Sequence, residues 1–264
     1  MPELPDVETM RRYLTAEALG RRVADIEVRD RRTLRDLPPR ELAEAVGGKP
    51  LTVTARHGKW LFAEVGRGPW IVMHFRMTGS LAVTPPGAPP SRFARVRFRF
   101  ADGGALEFRD QRRFGLIVLA DDPAAFAAAH RLGPDALDPR LTAAAFEERL
   151  SKRHGPLKTV LLDQAFVAGI GNVYGDEVCH AAGLAPLSRV EDLSPKERRA
   201  VYRAMRGVLD TAVKRMTEGR PFPNGWLIDE RRAGGVCPRC GEPVSRAKLQ
   251  ARYTYWCACS QTMA

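Results

Sequence analysis

The sequence predicts an α+β protein of two domains: an N-terminal antiparallel β-sandwich with a flanking helix, then a helical domain that ends in a metal-stapled β-hairpin. Three observations predict it. Seven short β-like runs fill the stretch from Val23 to about Ala120. The apolar period turns helical after Asp121. Four of the five cysteines, Cys237, Cys240, Cys257 and Cys259, crowd into one C-terminal segment, while Cys179 stands alone.

The elements follow in order. Val7, Met10, Leu14 and Ala18 have helical spacing. Pro5 suits a first helical turn, and Asp6 and Glu8 suit the positive end of the dipole. The runs VADIEV, LTVTAR, KWLFAEV, WIVMHF, RVRFRF, ALEFRD and GLIVLA are then broken by Gly, Pro or charge, the pattern of a sandwich or barrel. TPPGAPPS (84–91) reads as a surface loop between strands. Beyond Asp121, PAAFAAAHRL, TAAAFEERL, LKTVLLDQAF, the stretch 172–182 and SPKERRAVYRAMRGVLDTAVKRM read as helices. Ser194 and Glu197 form a capping-box signature for the last of these. Residues 219–235 read as a loop or linker. The domains expected are 1–130 for the sandwich, 131–229 for the helices and 230–264 for the hairpin.

The chain has 264 residues with 42 Lys+Arg against 31 Asp+Glu, a formal net charge of +11. That excess points to a polyanionic partner, most simply nucleic acid; a basic, Arg-rich proteome would give the same composition. With 44% hydrophobic and 28% charged residues, a wholly disordered chain is excluded. No apolar run approaches the ~18–20 residues of a membrane span, and the start MPELPDVETMRR lacks a signal-peptide core, so a cytoplasmic protein is expected.

Clustered thiols in such a protein read as a metal site. Cys237 and Cys240, sixteen intervening residues, then Cys257 and Cys259 offer four thiolates to one structural Zn²⁺. The second pair is C-x-C where C-x2-C is commoner. Between the pairs, Arg246, Lys248 and Arg252 interleave with Tyr253, Tyr255 and Trp256, a basic hairpin suited to phosphates or simply a solvated strand face. In the helical region, two helical patterns flank a tight Gly-Ile-Gly-Asn turn (169–172). Asn172 is placed to cap the second helix, and free N–H groups there would suit a phosphate.

At the N-terminus, removal of Met1 would expose the secondary amine of Pro2 beside Glu3. An α-amino group offers roughly 300 times more free base near neutral pH than a lysine. Attack on a sugar C1′ would give an iminium, with Glu3 as proton shuttle. Read alone, Pro2 is only a common second residue and Glu3 a helix-start acid.

Taken together, PELPDVE (2–8), HFRMTGSL (74–81), DQRRFG (110–115), RLGPDAL (131–137), LLDQAFVAGIGNVYGDE (161–177) and the cysteine hairpin with RYTYW (252–256) resemble the formamidopyrimidine-DNA glycosylase/endonuclease VIII family across essentially the whole chain. The PEL start and RMTG segment are similar to the formamidopyrimidine branch. The resemblance implies a helix-two-turns-helix motif, a zinc-stapled hairpin, and excision of damaged bases from double-stranded DNA followed by strand nicking; a monomer is expected. It implies Pro2 as nucleophile, Glu3 as the carboxyl that protonates the opened sugar, and Lys59 as a strand lysine on the phosphates. It implies DNA contacts from His74, Arg113, Asn172 and Arg252, and a wedge of Met77, Arg112 and Phe114 in the gap left by a flipped nucleotide.

Three departures stand out. Asp6 replaces a commoner Glu. Phe93 and Arg95 lie where relatives often carry His. The loop before the hairpin is short where the formamidopyrimidine branch closes a longer loop over 8-oxoguanine. Oxidised or ring-opened purines are therefore expected as substrates, without strong dependence on 8-oxoguanine, and oxidised pyrimidines stay open. A catalytically silent damage-binding protein and a zinc-ribbon RNA or ribosome partner are the readings from other classes. Pro2-Glu3 with Lys59 argues for the enzyme.

Overall fold

The computed structural model describes residues 1–264. They form two compact units, Met1–Pro2 with Asp6–His130, and Glu3–Pro5 with Arg131–Ala264.

In the first unit, helix α1 (Leu4–Ala18) buries Val7, Leu14 and Ala18, one stripe of its surface. Strands β1 (Val23–Val28), β6 (Ala94–Phe100), β7 (Ala105–Asp110) and β5 (Gly79–Thr84) pair in that order in one sheet. Strands β2 (Leu51–His57), β3 (Trp60–Val65), β4 (Trp70–His74) and β8 (Leu116–Ala120) pair in that order in the other. Every pairing is antiparallel. One core takes Leu61, Ile71 and Met73 from the second sheet, Val96, Phe98 and Phe108 from the first, and Val7 and Leu14 from α1. Each large side chain so buried contributes about 1.5–3 kcal/mol.

Two elements of this unit go beyond the seven runs read from sequence. Helix α2 (Pro39–Val46) buries only Leu42 and Val46, four apart, a stripe too short to register as a period. Strand β5 opens on Gly-Ser and pairs only with β7, at the end of its sheet. Helix α3 (Pro123–Ala129) closes the unit, capped by the Asp122 carboxylate, which accepts the Ala125 N–H at 2.7 Å.

The second unit holds α4 (Ala143–Ser151), α5 (Leu157–Leu162), α6 (Asn172–Ala182), α7 (Pro195–Thr217) and the hairpin β9 (Ser245–Leu249) and β10 (Arg252–Trp256). The capping box at Ser194 and Glu197 is present. From α7, Val201, Met205, Val208, Leu209 and Ala212 pack with Phe146 of α4 and Val178 of α6 in one core. Cys179 is fully buried there, and burial pushes its thiol well above the usual range, so it is an inert packing residue. No helix is long and apolar enough to cross a membrane.

Candidate active site and nucleic-acid interface

Helix α5 ends at Leu162, earlier than the apolar pattern suggests, and nine residues, 163–171, link it to α6. Gln164 organises this link. Its amide donates to the carbonyls of Leu162 and Ile170, both at 2.9 Å, and accepts the Gly169 N–H at 3.0 Å. The pair of turns is thus wound around one side chain.

The start of α6 is occupied. The Glu3 carboxylate accepts N–H bonds from Gly171 (2.7 Å), Val173 (2.8 Å) and Tyr174 (3.2 Å), and Leu4 N–H donates to the Gly169 carbonyl at 3.0 Å. Glu3 is 2% exposed. The expected phosphate site at this helix start is therefore filled by the protein's own carboxylate, which the helix dipole favours. Asn172 is the first helical residue and not a cap. Its side-chain amide donates instead to the Tyr253 carbonyl at 3.2 Å, drawn there by the hairpin. Two glycines make room: a Cβ on Gly171 would lie 2.3 Å from Glu3 Cδ, and Gly169 combines φ +121° with Leu4 packed against it.

The hairpin is fastened by a buried ion triad that sequence reading did not single out. Asp176 on α6 meets Lys158 Nζ of α5 at 2.6 Å and Arg231 at 2.9 Å. Lys158 Nζ also donates to Thr254 Oγ1 at 3.0 Å, and the Tyr255 N–H donates to Asp176 at 3.3 Å. Burial lowers the Lys158 pKa and raises that of Asp176, each opposed by the partner's charge. These bonds place Arg252 and Asn172 side by side, since Asn172 holds the residue next to Arg252. Arg252 also lines a cleft of about 640 Å³ with Lys152, Arg153, His154 and Gln250. The basic Lys-Arg-His run at the end of α4 was the available signal for it.

In the first unit, Asp110 is 1% exposed and ties two loops together. Its carboxylate accepts the Thr78 hydroxyl, the Arg112 N–H at 3.1 Å and the Gly115 N–H at 2.6 Å. Arg95, buried within β6, donates to the Asp110 carbonyl at 2.6 Å. Met77 and Phe114 stand out from these loops, 41% and 54% exposed, with the Arg112 guanidinium 5.1 Å from the Phe114 ring centre. These are two of the large apolar side chains that the fold leaves exposed. Arg113, at φ +61°, lies on the same loop as Arg112 and Phe114, 3.7 Å from Asp30.

Lys59 occupies the two-residue turn between β2 and β3 and not a strand, and is largely buried. On β4, His74 packs edge-on to Trp60 and accepts the Arg76 N–H through Nδ1 at 3.1 Å. Burial, then the charges of Arg76, Lys59 and Arg35, bring its pKa down to about 3. With Nδ1 accepting, neutral His74 carries its proton on Nε2.

Of the four expected metal ligands, Cys237, Cys240 and Cys257 bring their sulfurs within 4.8 Å of one another, and Cys259 is not among them. Cys259 is exposed, as is Cys240 of the group. Three converging thiols suit a soft or borderline cation.

A β-sandwich with exposed apolar loop tips, a helix-two-turns-helix unit holding an N-terminal carboxylate and a cysteine hairpin on a basic chain define a base-excision DNA glycosylase. Comparison with known proteins agrees. The family models for the formamidopyrimidine-DNA glycosylase N-terminal domain and H2TH domain match residues 1–117 and 132–222. Proteins called formamidopyrimidine-DNA glycosylase from Pelotomaculum thermopropionicum (34% identity, 99% of both chains) and Symbiobacterium thermophilum (37%, 97% of this chain and 88% of the relative) are similar throughout. The Lactococcus lactis formamidopyrimidine DNA glycosylase bound to abasic-site DNA has a TM-score of 0.86 at 28% identity, covering 98% of this chain and 99% of that one. The same enzyme with DNA containing N7-benzyl-Fapy-dG gives 0.88 at 27%, with the same coverage. The chain belongs to the formamidopyrimidine-DNA glycosylase family.

Proposed function

We propose that this chain excises oxidised, above all ring-opened, purines from double-stranded DNA and then nicks the strand, with the Pro2 amine as nucleophile after Met1 is removed. The amine attacks C1′ as the bond to the damaged base breaks, and the base leaves with a proton. The C1′–O4′ bond then opens, O4′ takes a proton and an iminium forms. Loss of a C2′ proton expels the 3′ phosphate. Glu3 is the carboxyl that carries the proton at O4′. The observation that supports this reading best is the fixing of Glu3, chain neighbour of Pro2, by three backbone N–H groups.

Lys59, His74, Arg113, Asn172 and Arg252 contact the DNA backbone, and Met77, Arg112 and Phe114 fill the vacated stack. Zn²⁺ held by Cys237, Cys240 and Cys257 would supply structure, not chemistry. Acting on DNA, the protein works in the bacterial cytoplasm at the nucleoid. Lesion choice follows from the segment between α7 and β9. Phe222 and Trp226 stack 5.2 Å apart and pack on the helical core, Leu227 is fully buried, and Arg231 is held by Asp176. Little of that segment is left to close over an extruded base. Each base contact so lost costs about 1–3 kcal/mol of discrimination.

Single-turnover nicking and borohydride trapping on duplexes with one defined lesion each test both parts. Formamidopyrimidines, further-oxidised guanines and abasic sites should react at least as fast as 8-oxoguanine opposite cytosine. Pro2→Gly should abolish trapping. An 8-oxoguanine rate far above all others refutes the lesion ranking, and trapping that maps to a lysine refutes the nucleophile.

A further inference from the structure

The two cysteine turns of the hairpin segment are built alike. Gly241 N–H donates to the Cys237 carbonyl at 2.9 Å, and Gln261 N–H donates to the Cys257 carbonyl at 3.0 Å. In the first turn the residue three after the leading cysteine is Cys240, which joins the thiol group. In the second turn that position is Ser260. Its hydroxyl lies 3.8 Å from Cys237 Sγ, and Ser260 also hydrogen-bonds the Cys257 thiol. Cys259 reaches Cys240 but stays outside the group of three.

The second turn is also clamped. Gln261 is 3% exposed; its side chain accepts the Cys257 N–H at 2.8 Å and donates to the Leu184 carbonyl at 2.7 Å. Rotating the turn by one residue, so that Cys259 replaced Ser260, would break both bonds. His180 Nε2 sits 3.7 Å from Cys237 Sγ, but His180 is not in the converging set.

We infer that the metal site of this chain is closed by three thiolates and the Ser260 oxygen, and that Cys259 is a solvent-facing thiol that does not ligate. A neutral hydroxyl in place of a fourth thiolate leaves the site with one negative charge fewer, so the ion is held more weakly than in a four-thiolate site. Wild type and Cys259→Ser should each hold one zinc and give the same cobalt-substituted thiolate charge-transfer band. Ser260→Cys should raise that band about 1.3-fold, in the ratio of four thiolates to three, and slow metal release to a chelator at least about tenfold. In the zinc-loaded full-length protein a thiol reagent should modify Cys259 first. None of these readouts depends on DNA cleavage, so they stand or fall apart from the catalytic reading. Loss of zinc or a weaker cobalt band in Cys259→Ser would overturn the inference. So would Ser260→Ala with an unchanged spectrum and release rate, which would give the fourth position to His180 or solvent.

Discussion

Gly171 is fixed by a residue 168 positions away. Its backbone N–H binds the Glu3 carboxylate, and any Cβ there would occupy the space of Glu3 Cδ. The sequence placed Gly169 and Gly171 in a tight turn, but nothing local told what approaches it. Glu3 looked like a helix-start acid of α1, and it is instead the anion at the start of α6. A contact that spans the chain has no periodicity to betray it; only the family motif pointed to Glu3. Gly171→Ala should therefore displace Glu3 while leaving Arg252 and Lys59, the proposed phosphate contacts, in place. Misplacing a catalytic group by about 1 Å costs on the order of 100-fold, so single-turnover nicking should fall by about that factor with DNA affinity little changed. Nicking at the wild-type rate in a folded Gly171→Ala protein would remove Glu3 from the chemistry.

At the scale of elements, legibility tracked the length of the buried stripe. α7 buries apolar residues over three turns and was legible together with its capping box, whereas α2 and β5 offer two or three apolar positions each. The hairpin was legible from its cysteines, its docking was not, because Lys158, Asp176 and Arg231 lie far apart along the chain and only the fold brings them together. Cys259 was expected to join the other three thiols and lies outside their group, because spacing counts cysteines while turn geometry decides which sulfurs converge. Asp176→Asn should expose how much the triad matters. It leaves Lys158 and Arg231 without their counter-charge inside the protein, a loss on the order of 3–5 kcal/mol. Amide exchange in β10 should then accelerate well before exchange in α7, and DNA binding should weaken through Arg252. Equal protection of β10 in Asp176→Asn and wild type would show that other contacts hold the hairpin.

Across the whole molecule the charge excess favours DNA, but two groups in the sandwich unit make the same chain sensitive to acid. Glu8 is buried, which would raise its pKa, yet hydrogen bonds and charge from Arg11, Arg12 and Arg56 bring it down to about 2 from 4.5. A carboxylate depressed by folding stabilises fully above pH 4.5 and loses that contribution as pH falls towards 2, about 3 kcal/mol in all. His74 acts in the same direction for a different reason. Folding holds it neutral down to about pH 3, while the unfolded chain takes up the proton near 6.5. Its unfavourable contribution therefore begins below pH 6.5 and grows until pH 3. Between pH 6.5 and 4.5 only His74 of this pair is active, so the two can be separated. Urea midpoints measured from pH 7 to 4, read by exchange in β3 and β4, should fall steadily in wild type. In His74→Gln the curve should stay flat down to about pH 4.5 and drop only as Glu8 is protonated. Parallel curves for the two proteins over pH 7 to 5 would mean that folding leaves the His74 pKa unchanged, so that the folded protein takes up this proton as readily as the unfolded chain.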